Sequence, residues 1–196
     1  MKDININIQA HHKRESFIPY LKERLGKNTK VIWDQKNCVW DTRKRCIEDH
    51  IKSGKKWGLT IQDDCLLTTD FLKKMEKFIL KHERRSRPTV FNFYFWNLST
   101  QQVLRAKKVG HFRSAGMKSG LAICMPTRMM PDLLRFWENR NDLIRHDDGR
   151  IGRFLRTRGI RTIYPCPSLV QHRDGPSLIY KKGEMPEHRM SITYVE

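Results

Sequence analysis

Two acidic pairs carry the chemistry that this sequence could do. Gln62-Asp63-Asp64 comes directly off the apolar run 57–61, so two adjacent carboxylates stand at a strand end. Hard cations such as Mg²⁺ or Mn²⁺ take carboxylate oxygens and share their other positions with substrate phosphates. An acidic turn that caps the next helix is the plainer alternative. The carboxyl end of a central strand, however, is where open α/β sheets bind ligands. The second pair, His146-Asp147-Asp148, precedes the helical string Ile151-Gly152-Arg153-Phe154-Leu155. One aspartate suffices to cap a helix, which leaves the other to accept a proton. Asp34 ends the second strand as either a ligand or a turn residue. His11, His12, Lys13 and Arg14 follow the first strand, and Arg43 and Lys44 lie further on. Each of these could approach a diphosphate or simply face water.

The elements that must position these residues follow from periodicity. Residues 4–9 alternate as a strand, and 15–25 repeat apolar residues at helical spacing up to Gly26. A short β-like run at 30–33 is followed by a helix from Asp41 through Ile51. The strand 57–61 is followed by a helix capped by Thr69 or Asp70, with Phe71, Met75, Phe78 and Ile79 on one side. This alternation predicts α/β units around a parallel sheet. The second half predicts a strand over 89–95, then a polar basic stretch, then a loop from Gly110 to Gly120. A buried strand over 121–125, helices from Thr127 and Asp147, and a strand over 161–164 complete it. No repeat or Pro/Gly linker divides the 196 residues. Five cysteines without a CxxC pair argue against structural zinc and for buried thiols, with one disulfide possible. No apolar run reaches the ~20 residues of a membrane span, and the first strand is no signal-peptide core, so a soluble cytoplasmic protein is expected.

Trp57-Gly58-Leu59-Thr60-Ile61-Gln62-Asp63-Asp64, followed by Asp70-Phe71, resembles the metal motif of GT-A-fold glycosyltransferases in its xDD variant. Pro165-Cys166-Pro167-Ser168-Leu169-Val170-Gln171-His172, followed by Ser177-Leu178-Ile179, resembles the late histidine string of that family. The resemblance spans residues 4–180 and looks closest to small viral members, including the kind carried by crenarchaeal viruses. It implies a single-domain three-layer α/β/α sandwich with a mainly parallel sheet. Residues 1–100 would form the nucleotide-sugar half, 101–180 the acceptor half and 181–196 a tail. It implies Asp64 and His172 as metal ligands, with Asp63 or Gln62 at the ribose or in the metal shell. Asp34 would bind the base, and Arg14 and Arg43 the diphosphate. The loop 114–121, with Gly116 and Gly120, would serve the acceptor side, where glycine admits a close backbone approach. In an inverting enzyme Asp148 would be the catalytic base, with Asp147 second in line, and in a retaining one Asp148 would only position substrate. The cofactor implied is Mn²⁺ or Mg²⁺, the donor a nucleoside-diphosphate sugar. If a member is viral, it works in the host cytoplasm.

Charge keeps other function classes open. The formal net charge is +18, and residues 73–118 hold twelve Lys/Arg against Glu76 and Glu83. Tyr94, Trp96 and Phe112 lie in the same stretch. Cations interleaved with aromatic rings suit nucleic acid, although a solvated helix face has the same composition. A second run, Arg150 to Arg161, adds positive charge near the proposed base and could serve an anionic acceptor. The alternatives to glycosyl transfer are therefore a basic nucleic-acid-binding protein and a Mg²⁺-dependent nuclease built on Asp63, Asp64, Asp148 and His172. Oligomeric state is not legible.

Overall fold

The computed structural model describes residues 2–83, 88–117, 119–138, 146–173, 178, 189–191 and 193–195. Arg84, Arg85, Arg87 and Lys118 of the basic stretch lie outside these residues, as do Ser177, Ile179 and most of the tail. In chain order the strands are β1 (Ile4–Ala10), β2 (Lys30–Trp33), β3 (Trp57–Gln62), β4 (Cys65–Leu67), β5 (Val90–Asn92), β6 (His111–Ala115), β7 (Ala122–Pro126), β8 (Arg161–Pro165) and β9 (Val170–His172). The helices are α1 (Ile18–Leu25), α2 (Val39–Lys52), α3 (Phe71–His82), α4 (Thr100–Val109), α5 (Met130–Glu138) and α6 (Asp147–Thr157).

Seven strands form one sheet in the order β2-β1-β3-β7-β5-β8-β6. β2, β1 and β3 are parallel, β7 runs against both β3 and β5, β8 is parallel to β5, and β6 opposes β8. Five strands thus share one direction, and β6 and β7 oppose them. The sheet is mixed but mainly parallel. Leu59 and Ile61 of β3 pack on one face with Leu21 of α1 and Met75 of α3. The other face carries Ile47 of α2, Leu133 of α5 and Phe154 of α6. Two helical layers therefore enclose the sheet, and β3 is buried along nearly its whole length. The cysteines are free thiols, and all but Cys38 are buried.

The structure departs from the sequence expectation in the second half. The polar stretch after Phe95 contains α4, and the expected loop over 110–120 begins with the edge strand β6. Both elements bury little: Val103 and Ala106 are the buried residues of α4, and no residue of β6 is buried. Their apolar periodicity is therefore faint. A local signal for α4 did exist in Ser99 and Gln102, which form a capping box. At the start of α2, Asp41 sits within the first turn and does not cap it. Asp70 occupies the cap of α3 without a side-chain hydrogen bond. Among the described residues no helix is long and apolar enough to cross a membrane.

Candidate active site

The site is built where β1 and β3 end side by side. The chain leaving β1 donates the His11 N–H to Asp63 Oδ2 at 2.6 Å, and Asp63 N–H donates to the Gln9 carbonyl. After His11 the chain coils into a short 3₁₀ turn that brings Arg14 back over the acidic pair. Its Nη1 lies 3.1 Å from Asp63 Oδ1 and 2.6 Å from Asp64 Oδ2. Both carboxylates are almost wholly buried. Burial and the neighbouring Asp64 charge raise the Asp63 pKa above the ordinary carboxylate value. Burial also works against ionised Asp64, but the His172 contact and the Arg14 guanidinium outweigh it and hold that carboxyl below its usual range.

His172 arrives through a separate two-stranded ladder. β4 and β9 pair antiparallel with Cys65 opposite His172, and Arg173 N–H donates to the Asp64 carbonyl at 2.8 Å. This register sets His172 Nε2 3.2 Å from Asp64 Oδ2. Arg189 Nη2 approaches the same nitrogen at 2.8 Å. The chain at Arg189 is fastened nearby: Tyr94 hydroxyl donates to its carbonyl, and Gln171 exchanges hydrogen bonds with the Ser191 backbone.

The opposite side rests on a buried clamp. Arg43, 1% exposed, donates from Nε to Asp147 Oδ2 at 2.8 Å and from Nη2 to the Gly120 carbonyl at 2.7 Å. Asp147 Oδ1 accepts the Asp148 N–H at 2.8 Å. A Cβ on Gly120 would lie 2.9 Å from that Oδ1, so a residue without a side chain is required there. Asp148 has a different environment: among the described residues its carboxylate accepts only the Gly149 N–H. Burial, followed by the charge of Asp147, raises its pKa. A carboxylate with a raised pKa is suited to taking a proton. Beside it, the Arg150 guanidinium lies over the rings of Trp40 and Trp137, at 5.1 and 4.9 Å from their centroids.

A cleft of about 700 Å³ joins the two sides. Arg14, Asp34, Gln62, Asp63, Asp64, Gly120, Asp147, Asp148 and His172 all line it. Asp34 Oδ1 also accepts the N–H groups of Lys36 and Cys38, so it shapes a turn as well. Arg43 and Gly116 are not part of the wall. Arg43 lies beneath it in the clamp, and Gly116, with φ of 96°, packs against Arg156 and Gly152 of α6. Trp40 and Arg189 line the cleft without having been singled out for it from sequence. No motif marks either, because each reaches the cleft through a distant segment.

Whether this residue set suits a divalent cation can be tested on its unsatisfied atoms. Asp64 Oδ1 is buried without a hydrogen-bond partner. His172 Nε2 offers one position, either a proton or a lone pair, so it cannot accept from Arg189 and donate to Asp64 together. A cation shared by Asp64 and His172 would satisfy both groups. No preformed group of three His, Cys, Asp or Glu occurs among the described residues, so the remaining ligands would come from substrate and water. The residues fit.

No protein-family model and no curated protein sequence matches the chain. Among solved structures, a glycosyltransferase involved in the glycosylation of the major capsid of PBCV-1 superposes with a TM-score of 0.50. It covers 89% of this chain and 95% of that one, at 13% sequence identity. The fold is GT-A-like. A197 from STIV is also similar, with a TM-score of 0.48 at 14% identity, over 89% of this chain and 87% of that one. In the GT-A-like frame, the cleft lies at the carboxyl ends of β1 and β3, where open sheets take their ligands.

Proposed function

We propose that this chain is a metal-dependent glycosyltransferase that moves a sugar from a nucleoside-diphosphate sugar to an acceptor hydroxyl. The observation that carries this reading is the content of one cleft: Asp64 with an unsatisfied oxygen beside His172, two guanidiniums, and Asp148 standing apart from them. We assign the diphosphate to Arg14 and Arg189, because charge-assisted hydrogen bonds from guanidiniums to phosphate are strong. Asp34 and Gln62 line the same cleft and are assigned to the nucleoside. Asp64 and His172, with Asp63 alongside, would hold the cation, which when bound would neutralise charge on the departing diphosphate.

The residues of the chain account for the other half of the reaction. Asp148 accepts the proton of the acceptor hydroxyl as its oxygen bonds to the anomeric carbon. The bond from that carbon to the diphosphate breaks, and its electron pair leaves with the phosphate. Positive charge develops on the sugar ring in between, as in other displacements at an anomeric carbon. Asp147 stays tied to Arg43 throughout and keeps the first turn of α6 in place.

Thermal unfolding with nucleoside diphosphates tests the donor side. A ligand at a hundred times its Kd stabilises by about 2.7 kcal/mol, a shift of several degrees for a domain of this size. We expect that shift with Mn²⁺ present. Asp64→Asn should lower the unliganded Tm, because Arg14 loses a buried counter-charge, and on top of that lose the Mn²⁺-dependent part of the shift. Equal shifts in the two proteins would remove Asp64 from the metal site.

A further inference from the structure

We propose, on the basis of the metal reading above, that Arg14 is a stand-in cation for the acidic pair. It gives way to the divalent ion and turns to the diphosphate, so that metal and donor bind cooperatively. One guanidinium nitrogen, Arg14 Nη1, bridges the two carboxylates, 3.1 Å from Asp63 Oδ1 and 2.6 Å from Asp64 Oδ2. Asp64 Oδ2 is also the oxygen that lies 3.2 Å from His172 Nε2. The oxygen facing the second metal ligand is thus the one that Arg14 holds. An arginine side chain keeps its proton and cannot make room by losing its charge. Like charges at such short range repel, so a second cation reaches Asp64 Oδ2 only if Arg14 moves.

The two arginine–aspartate contacts of the site differ in how firmly they are held. Arg43 belongs to α2, is buried, and is fixed on Asp147 and the Gly120 carbonyl. Arg14 sits on the 3₁₀ turn His12–Phe17, which has no buried residue, and its own backbone leaves helical geometry at φ −119° and ψ 19°. Swinging its side chain away therefore disturbs no core packing. Asp63 keeps its anchor when Arg14 leaves, because the His11 N–H donates to Oδ2, the oxygen that the guanidinium does not touch. Arg14 lines the cleft, so it stays beside the diphosphate, whose oxygens replace the carboxylates as charged acceptors. Metal alone must break the bridge without giving Arg14 a new partner, whereas metal and diphosphate together supply one. Each ligand then raises the affinity for the other by the same factor.

Arginine labelling of the full chain by phenylglyoxal, read at each residue by mass spectrometry, tests the release without any variant. Mn²⁺ alone should speed the labelling of Arg14, and UDP, GDP or ADP added with Mn²⁺ should suppress it, while Arg43 stays unlabelled throughout. Titration calorimetry gives a second readout. Arg14→Gln removes the competing charge, so Mn²⁺ alone should bind it about tenfold more tightly than the parent, and the gain in Mn²⁺ affinity from the nucleoside diphosphate should shrink. Labelling of Arg14 that Mn²⁺ leaves unchanged or slows, or that none of the diphosphates then suppresses, would overturn the proposal. Equal Mn²⁺ affinity in the two proteins would overturn it as well, and would leave the metal reading standing. Failure of Mn²⁺ to bind either protein, with or without a diphosphate, would overturn both.

Discussion

Asp147 and Asp148 are chemically identical neighbours with opposite surroundings. Both line the cleft, but Asp147 is 3% exposed and bound to the Arg43 guanidinium, whereas the Asp148 carboxylate accepts only the Gly149 N–H among the described residues. Asparagine at each position should therefore fail in a different way. Asp148→Asn removes the proton acceptor and should lower turnover by about 10²–10⁴ with the Tm unchanged. Asp147→Asn leaves Arg43 buried without its counter-charge and should cost about 3–5 kcal/mol of stability in chemical denaturation. Turnover and unfolding measured on both variants check the assignment. The reverse pattern would make Asp147 the base. Because the Asp148 pKa is raised, the acid limb of the rate profile should fall above the ordinary carboxylate range.

At the scale of elements, the site depends on how closely α2 lies on β3. Gly58 makes that approach possible: a Cβ there would come within 2.5 Å of His50 Cγ and 2.6 Å of the Met130 methyl. His50 is itself fixed, with Nδ1 2.9 Å from Asn5 Nδ2 and Nε2 2.9 Å from Thr60 Oγ1. It cannot simply swing away. Gly58→Ala should thus cost about 1–3 kcal/mol, the usual range for overpacking, read as a lower denaturation midpoint. The same helix carries Arg43 two turns earlier, so the variant should also disturb the clamp on Asp147. The ladder of β4 with β9 has the corresponding role for His172, since a shift of one residue would turn that side chain to the opposite face.

At the scale of the whole molecule, the buried His50 makes folding sensitive to acid. Burial lowers its pKa from 6.5 to about 3. Between those values the unfolded chain binds a proton that the native state does not. The stabilisation is therefore complete above the unfolded value and is lost as pH falls below it. From about pH 7 to about pH 5 the loss from this group is about 2 kcal/mol. Urea denaturation at the two pH values should show it, and His50→Asn should remove that increment from the difference. Parallel slopes for the two proteins would mean that His50 is not buried neutral. The net charge of +18 acts on the same scale, through partners and not through the fold.

What the sequence determined by itself was what depends on neighbours along the chain. The apolar run of β3 ends in Asp63-Asp64, and the strand–helix alternation of the first half follows from local periodicity alone. The placement of Asp147 and Asp148 in the first turn of α6 was equally legible. The tertiary structure decided everything that needs two distant segments to meet. Sequence spacing does not report that Arg43 is buried under the cleft against Asp147, 104 positions away. Nor does it report that Arg189 returns to His172 from near the C-terminus. The elements misread from sequence, α4 and β6, bury little: two residues of α4 and none of β6. Periodicity records burial, so elements that bury this little leave a faint trace, whereas the other edge strand, β2, was legible from its continuous apolar run Val31-Ile32-Trp33.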